Sequence, residues 1–164
     1  MIRAAALAMM LLLSGCTLRP LYGGGGDGAV ATTLRSVDVA PIEGRAGWLV
    51  RTALEDRLGA KGEAARYRLE IELDDDITGF GIRPDNAVTR ERRSLRARYQ
   101  LVDASLGTVV LDATAGSDAG IDVVRSEYAT VAAEQSALER LTEEVADQIV
   151  SRVALYVART GEGQ

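Results

Sequence analysis

The run Arg66-Tyr67-Arg68-Leu69-Glu70-Ile71-Glu72-Leu73-Asp74-Asp75-Asp76 alternates charged and apolar side chains up to Asp74. A strand sends successive side chains to opposite faces, so Tyr67, Leu69, Ile71 and Leu73 share one face. Arg66, Arg68, Glu70, Glu72, Asp74 and Asp76 share the other, and the pattern predicts a strand with one wet face. A second alternating stretch covers Val88 to Val102. There Leu95, Ala97, Tyr99 and Leu101 point to a core, and Arg90, Arg92, Arg96, Arg98 and Gln100 point away. Between them Gly79 to Ala87, with Gly81, Pro84 and Asn86, reads as a loop, and the two strands are expected to form a hairpin.

Working outward, Leu34 to Ile42 reads as a short first strand ending at Pro41, with Val37 and Val39 alternating against Ser36 and Asp38. Gly44 to Ala60 places Leu49, Val50, Ala53, Leu54 and Leu58 at helical spacing, with Gly59 and Gly62 as stop signals. Trp48 reads as core or interface packing rather than a ligand site. After the hairpin, Ala104 to Thr108 turns the chain into a fourth strand, Val109 to Ala115, and Gly116 to Asp122 leads out of it. From Ala129 to Arg159, Val131, Leu138, Leu141, Val145, Ile149, Val153 and Tyr156 recur at three- and four-residue spacing without an internal Gly or Pro. The order β-α-β-β-β-α predicts an α+β fold, two helices on one face of a mostly antiparallel four-stranded sheet.

Arg90, Arg92, Arg96 and Arg98 share a face over about 27 Å at roughly 3.3–3.4 Å per residue. With the hairpin centred near Pro84, Asp76 falls opposite Arg92, Glu72 opposite Arg96 and Glu70 opposite Arg98, a ladder of solvated ion pairs. Arg90 then faces Thr78. With Arg83 and Arg93 it sits at the loop end without an acid of its own. Arginine's planar fork binds phosphate bidentately, so this group suits a phosphorylated ligand or an acidic partner, with solvated loop charge as the alternative.

The chain of 164 residues accommodates one folded domain. Nineteen basic against 24 acidic side chains, a net charge of −5, argue against a nucleic-acid partner. With no histidine, the usual catalytic base and metal ligand are missing. Asp74-Asp75-Asp76 is the only dense acidic cluster. Asp75 lies on the opposite strand face from the other two, so neither a catalytic nor a metal site is assigned, and no cofactor is expected. Of the basic residues, 18 are arginine and only Lys61 is lysine.

Residues Met1 to Gly15 carry one positive charge and an apolar run, Ala4 to Leu13, too short to span a bilayer. They read as a signal peptide. Leu13-Ser14-Gly15-Cys16 resembles the lipobox of bacterial lipoproteins, which implies cleavage before Cys16 and attachment of diacylglycerol and an N-acyl chain to it. Several chains together anchor stably where one does not. Thr17 in place of Asp implies sorting to the outer membrane. Residues 16–33, with Gly23 to Gly26 and Gly28, read as a lipidated flexible tether, 34–160 as the domain and 161–164 as a disordered tail.

Several stretches together resemble the LPS-assembly lipoprotein family, LptE, in its alphaproteobacterial form. They are Cys16-Thr17-Leu18-Arg19-Pro20-Leu21-Tyr22-Gly23; Thr89-Arg90 with Ala97-Arg98-Tyr99-Gln100-Leu101 and Asp103 to Gly107; and Tyr128-Ala129 with Ala133-Glu134, Arg140, Ala146, Ile149 and Arg152. The resemblance implies a non-enzymatic protein on the periplasmic side of the outer membrane. It would be a plug and folding partner of the LptD β-barrel in lipopolysaccharide export, with two helices on a four-stranded sheet. It makes Arg90, Arg83, Arg93 and Arg92 the candidates for touching lipopolysaccharide or the partner. Thr17 and Leu18 depart from the family's common Gly and Phe. The alternative is an auxiliary outer-membrane lipoprotein of another lipid or solute transport system.

Overall fold

The computed structural model describes residues 29–59, 65–82 and 88–161. Its centre is the hairpin: β2 (Tyr67–Ile82) and β3 (Val88–Asp103) run antiparallel, and β4 (Thr108–Asp122) pairs with the other side of β3. The short β1 (Val37–Val39) lies parallel to β2, giving the order β1-β2-β3-β4. Among the described residues three helices complete the fold: α1 (Ala29–Leu34), α2 (Gly44–Leu58) and α3 (Glu127–Gly161). Both long helices cover one face of the sheet, as the spacing predicts. The alternating apolar residues meet them there, with Leu69, Leu95, Tyr99 and Leu101 packed on Leu54, Leu141, Val145, Ile149 and Val153, all nearly inaccessible to solvent. Burying each such side chain contributes about 1.5–3 kcal/mol, so this one layer carries the fold.

The hairpin register differs from the expected one by two residues. Glu72 lies opposite Arg98, Asp74 opposite Arg96, Thr78 opposite Arg92 and Phe80 opposite Arg90. The strands run to Ile82 and from Val88, so Gly79 to Ile82 is strand rather than loop, and the pairing is symmetric about position 85 rather than 84. The fourth strand also runs on through Gly116 to Asp122, where a lead-out is expected. Ala115, Ala119 and Ile121 there are buried against the helices.

The first strand is three residues long and follows α1, which occupies the end of the expected tether and packs on α3 through a buried Leu34. Ser36 separates helix from strand: its N–H (3.0 Å) and its hydroxyl (2.7 Å) both donate to the Thr33 carbonyl. α2 stops at Leu58, where Gly59 at φ 87° donates its N–H to the Glu55 carbonyl, a conformation that favours glycine. Trp48, on α2, is 64% exposed and contributes nothing to the core. α3 starts two residues earlier than Ala129 and reaches Gly161.

Candidate functional site

The sheet face away from the helices is bare. Because paired residues on adjacent strands point the same way, β2 brings Glu70, Glu72, Asp74, Asp76, Thr78 and Phe80 to it, and β3 brings Arg90, Arg92, Ser94, Arg96, Arg98 and Gln100. β4 adds Asp112, Thr114, Gly116, Asp118, Gly120 and Asp122. A groove of about 690 Å³ crosses it, bordered by Glu72, Asp74, Arg96, Arg98, Thr114 and Gly116.

The arginines turn toward β4 rather than β2. Arg96 meets Asp118 at 2.7 Å, Arg98 meets Asp112 at 3.1 Å and Arg90 meets Asp122 at 3.3 Å. Gln100 adds a bond to Asp112 at 2.9 Å, and the Ser94 hydroxyl one to Asp118 at 2.5 Å. The residues opposite explain the choice. A Cβ on Gly116 would stand 2.5 Å from Cδ of Arg96, so only glycine lets that side chain cross β4 to reach Asp118. The ladder of ion pairs is therefore present, but its acids are β4 aspartates that sequence reasoning passed over. The signal was available in Gly116-x-Asp118-x-Gly120-x-Asp122, which alternates with the apolar positions. The hydrogen bond from Ser94, then that from Arg96, holds the Asp118 carboxyl below the usual carboxylate range, and Arg98 followed by Gln100 does the same for Asp112.

Of the candidate arginines within the described residues, Arg90 and Arg92 lie on the bare face and Arg93 does not. Arg90 has Asp122, contrary to the expectation that it lacks an acid, although both side chains remain largely exposed. Arg93 points to the helix side of the sheet. There it grips Asp75 through two bonds, 2.8 and 2.6 Å, and donates to the Glu134 carbonyl of α3 at 2.9 Å, with 13% of its side chain exposed. Its guanidinium is raised above the ordinary arginine value, first by the bond to Asp75. Arg93 is thus a tie between sheet and helix. Arg92 lies on the bare face and has no carboxylate within ion-pair distance among the described residues. Arg83 and Cys16 lie outside the described residues.

At the far end of the bare face, Phe80 pairs across the strands with Arg90 and is 42% exposed. Cation and apolar ring therefore stand side by side near Arg92. On the acidic side, Thr78 donates to Asp76 at 2.7 Å, while Glu72, Asp74 and Asp76 have no arginine at ion-pair distance among the described residues. Asp74 and Asp76 share this face and Asp75 does not. Among the described residues no cluster of three or more metal-ligating side chains occurs.

Comparison with known proteins agrees with this architecture. A lipoprotein of Caulobacter crescentus, 29% identical, superposes with a TM-score of 0.69 over 81% of this chain and 98% of its own. A minor lipoprotein from Acinetobacter baumannii (TM-score 0.60, 13% identity, 74% of this chain and 92% of its own) shares the fold. So does the rare lipoprotein B from Shewanella oneidensis (0.54, 12%, 77% and 96%). A comparison with curated proteins found no match. The family model for lipopolysaccharide assembly, LptE, matches residues 34–153, which takes in every strand and both long helices of the domain except the last turns of α3. This chain belongs to the lipopolysaccharide-assembly family LptE.

Proposed function

We propose that this protein is a lipid-anchored, non-enzymatic component of the outer membrane that plugs an LptD-type β-barrel, helps it fold and assists lipopolysaccharide export. The observation that carries this reading is the bare sheet face. It is broad, lined by paired charges and uncovered by helices, a surface suited to the polar interior of a large barrel. Along β3 and β4 three arginines are neutralised by aspartates within the sheet, so docking those strands against a polar wall leaves few of their charges stranded.

Lipopolysaccharide carries phosphates beside acyl chains. Arg92, free of an ion-pair partner among the described residues, and Arg90, held by one exposed aspartate, would meet the phosphates, and Phe80 the apolar part. Arg93 is not assigned to this contact. Membrane attachment is assigned to acyl chains on Cys16, each buried methylene contributing about 0.8 kcal/mol.

Depletion of the protein tests the reading against a role in another transport system. Loss of surface lipopolysaccharide together with loss of correctly assembled barrel is expected. An intact envelope with a defect in uptake of a solute would instead support the auxiliary-transport role.

A further inference from the structure

The two edges of the sheet are treated differently. On β4 the outer edge is covered by α3 at Gly116, where Gln148 accepts from the N–H and donates to the carbonyl, and the neighbouring Ser117 hydroxyl donates to Glu144. Among the described residues, the outer edge of β2 is paired only where β1 reaches, at Tyr67, Arg68 and Leu69, with one more bond from the Ala40 N–H to the Leu69 carbonyl at 2.9 Å. Pro41 then takes the chain away and has no N–H to offer. A groove of about 330 Å³ opens at that point, bordered by Ala40 and Pro41, by Glu70, Ile71 and Glu72 of β2, and by Arg98 and Gln100 of β3.

Since Leu69 turns its carbonyl outward, the two-residue alternation places the backbone groups of Ile71, Leu73, Asp75, Ile77 and Gly79 on the same outer row. The row extends about 27 Å at roughly 3.3 Å per residue. Along it, on the bare side, stand Glu72, Asp74 and Asp76, opposite Arg98, Arg96 and Ser94; Arg96 and Arg98 form their ion pairs with β4 aspartates, while Arg98 still attracts Glu72. Leu73 and Ile77 stand on the other side, partly exposed.

The geometry points to the β2 edge beyond β1 as a docking site for an extended polypeptide segment with basic residues at alternate positions and small or apolar residues between them. Such a segment continues the line of β1. Its backbone completes the outer row of hydrogen bonds, and its cations fall beside Glu72, Asp74 and Asp76. A second copy of this chain is the wrong partner, because an edge-to-edge pair sets carboxylates against carboxylates. The inference goes beyond the barrel role and does not depend on it.

The test is amide hydrogen exchange on the full mature, lipidated protein in detergent, with and without a synthetic peptide of alternating lysine and valine at millimolar concentration. The Ile71, Leu73, Asp75, Ile77 and Gly79 amides should slow by about tenfold or more, while the Gly116 amide stays as it was. Peptide alternating glutamate and valine should have no effect, and Asp74→Lys with Asp76→Lys should abolish the slowing. Both aspartates are exposed, and circular dichroism verifies that the doubly substituted protein is folded. Absence of slowing overturns the inference, as does slowing by either peptide alike, in the doubly substituted protein, or uniformly over the surface. Protection without peptide also overturns it. If it grows with protein concentration a second copy holds the edge; if it is independent of concentration, the chain's own residues do.

Discussion

The Gln148 side-chain amide is fitted to the backbone of Gly116, accepting its N–H and donating to its carbonyl, both at 3.1 Å. One side chain of the helix thereby satisfies both outward backbone groups of Gly116 on the β4 edge. Each bond is worth about 0.5–1.5 kcal/mol net, and these are solvent-accessible, so Gln148→Ala should cost about 1 kcal/mol in total. Thermal denaturation followed by circular dichroism should show a melting temperature lower by about 3–6 °C. An unchanged value would mean that water replaces the amide at no cost.

Gly47 should not tolerate alanine. An added Cβ would stand 2.7 Å from the Ile42 carbonyl oxygen and 2.8 Å from its carbonyl carbon, both backbone atoms that cannot swing aside. Alanine's better helix propensity returns at most about 1 kcal/mol, against about 1–3 kcal/mol for overpacking. Chemical denaturation of Gly47→Ala should therefore show a net loss of stability, and a gain would mean that the Ile42 loop yields freely.

Acid should loosen the bare face. Asp118 and Asp112 are held below their ordinary values by hydrogen bonds from Ser94 and Arg96, and from Arg98 and Gln100. A carboxylate with a lowered folded-state value contributes stability that is fully present above its unfolded value, about 3.9, and lost as pH falls through the folded one. Melting temperature should be level from neutrality to about pH 5 and decline below about pH 4. Asp118→Asn should flatten that decline; an identical slope would show that Asp118 is not part of it.

Among the arginines, Arg92→Ala should weaken binding of lipopolysaccharide by about tenfold, the scale of one charge-assisted contact. Arg90→Ala should weaken it less, because Asp122 already holds part of that charge, and Arg98→Ala should have little effect with Asp112 in place. Titration of the three variants against one lipopolysaccharide preparation checks the order. Equal losses would remove any special role for the far end of the face.

Much of the fold is legible in strict alternation and helical spacing. Tyr67 to Leu73 and Leu95 to Leu101 have bulky apolar residues at every second position, and Leu138 to Val153 has them on one helical stripe, so hydrophobic burial alone specifies their faces. The second half of β4 escapes that logic. Its inner positions include the small Ala115, Ser117 and Ala119, and its outer Gly116 leaves room for Arg96 of β3 to lie across it, so residues that look like loop chemistry serve packing. The hairpin register depends on where the turn is centred, and an offset of two residues keeps every face while changing every partner. For that reason the arginine face itself is correct from sequence, but its acids and the position of Arg93 are not. Residues 29–34, with small and β-branched side chains, carry no periodic signal for the helix they form.

Replacing Cys16 by alanine should release the protein from the membrane fraction in cells that lack the barrel. Retention there would remove the lipid anchor from the assignment.

The most direct test is affinity purification of the lipidated protein from solubilised envelopes, followed by identification of what remains bound after stringent washing. Recovery of a large β-barrel protein in near-equal amount is expected for a plug. Recovery of soluble periplasmic proteins alone would contradict it.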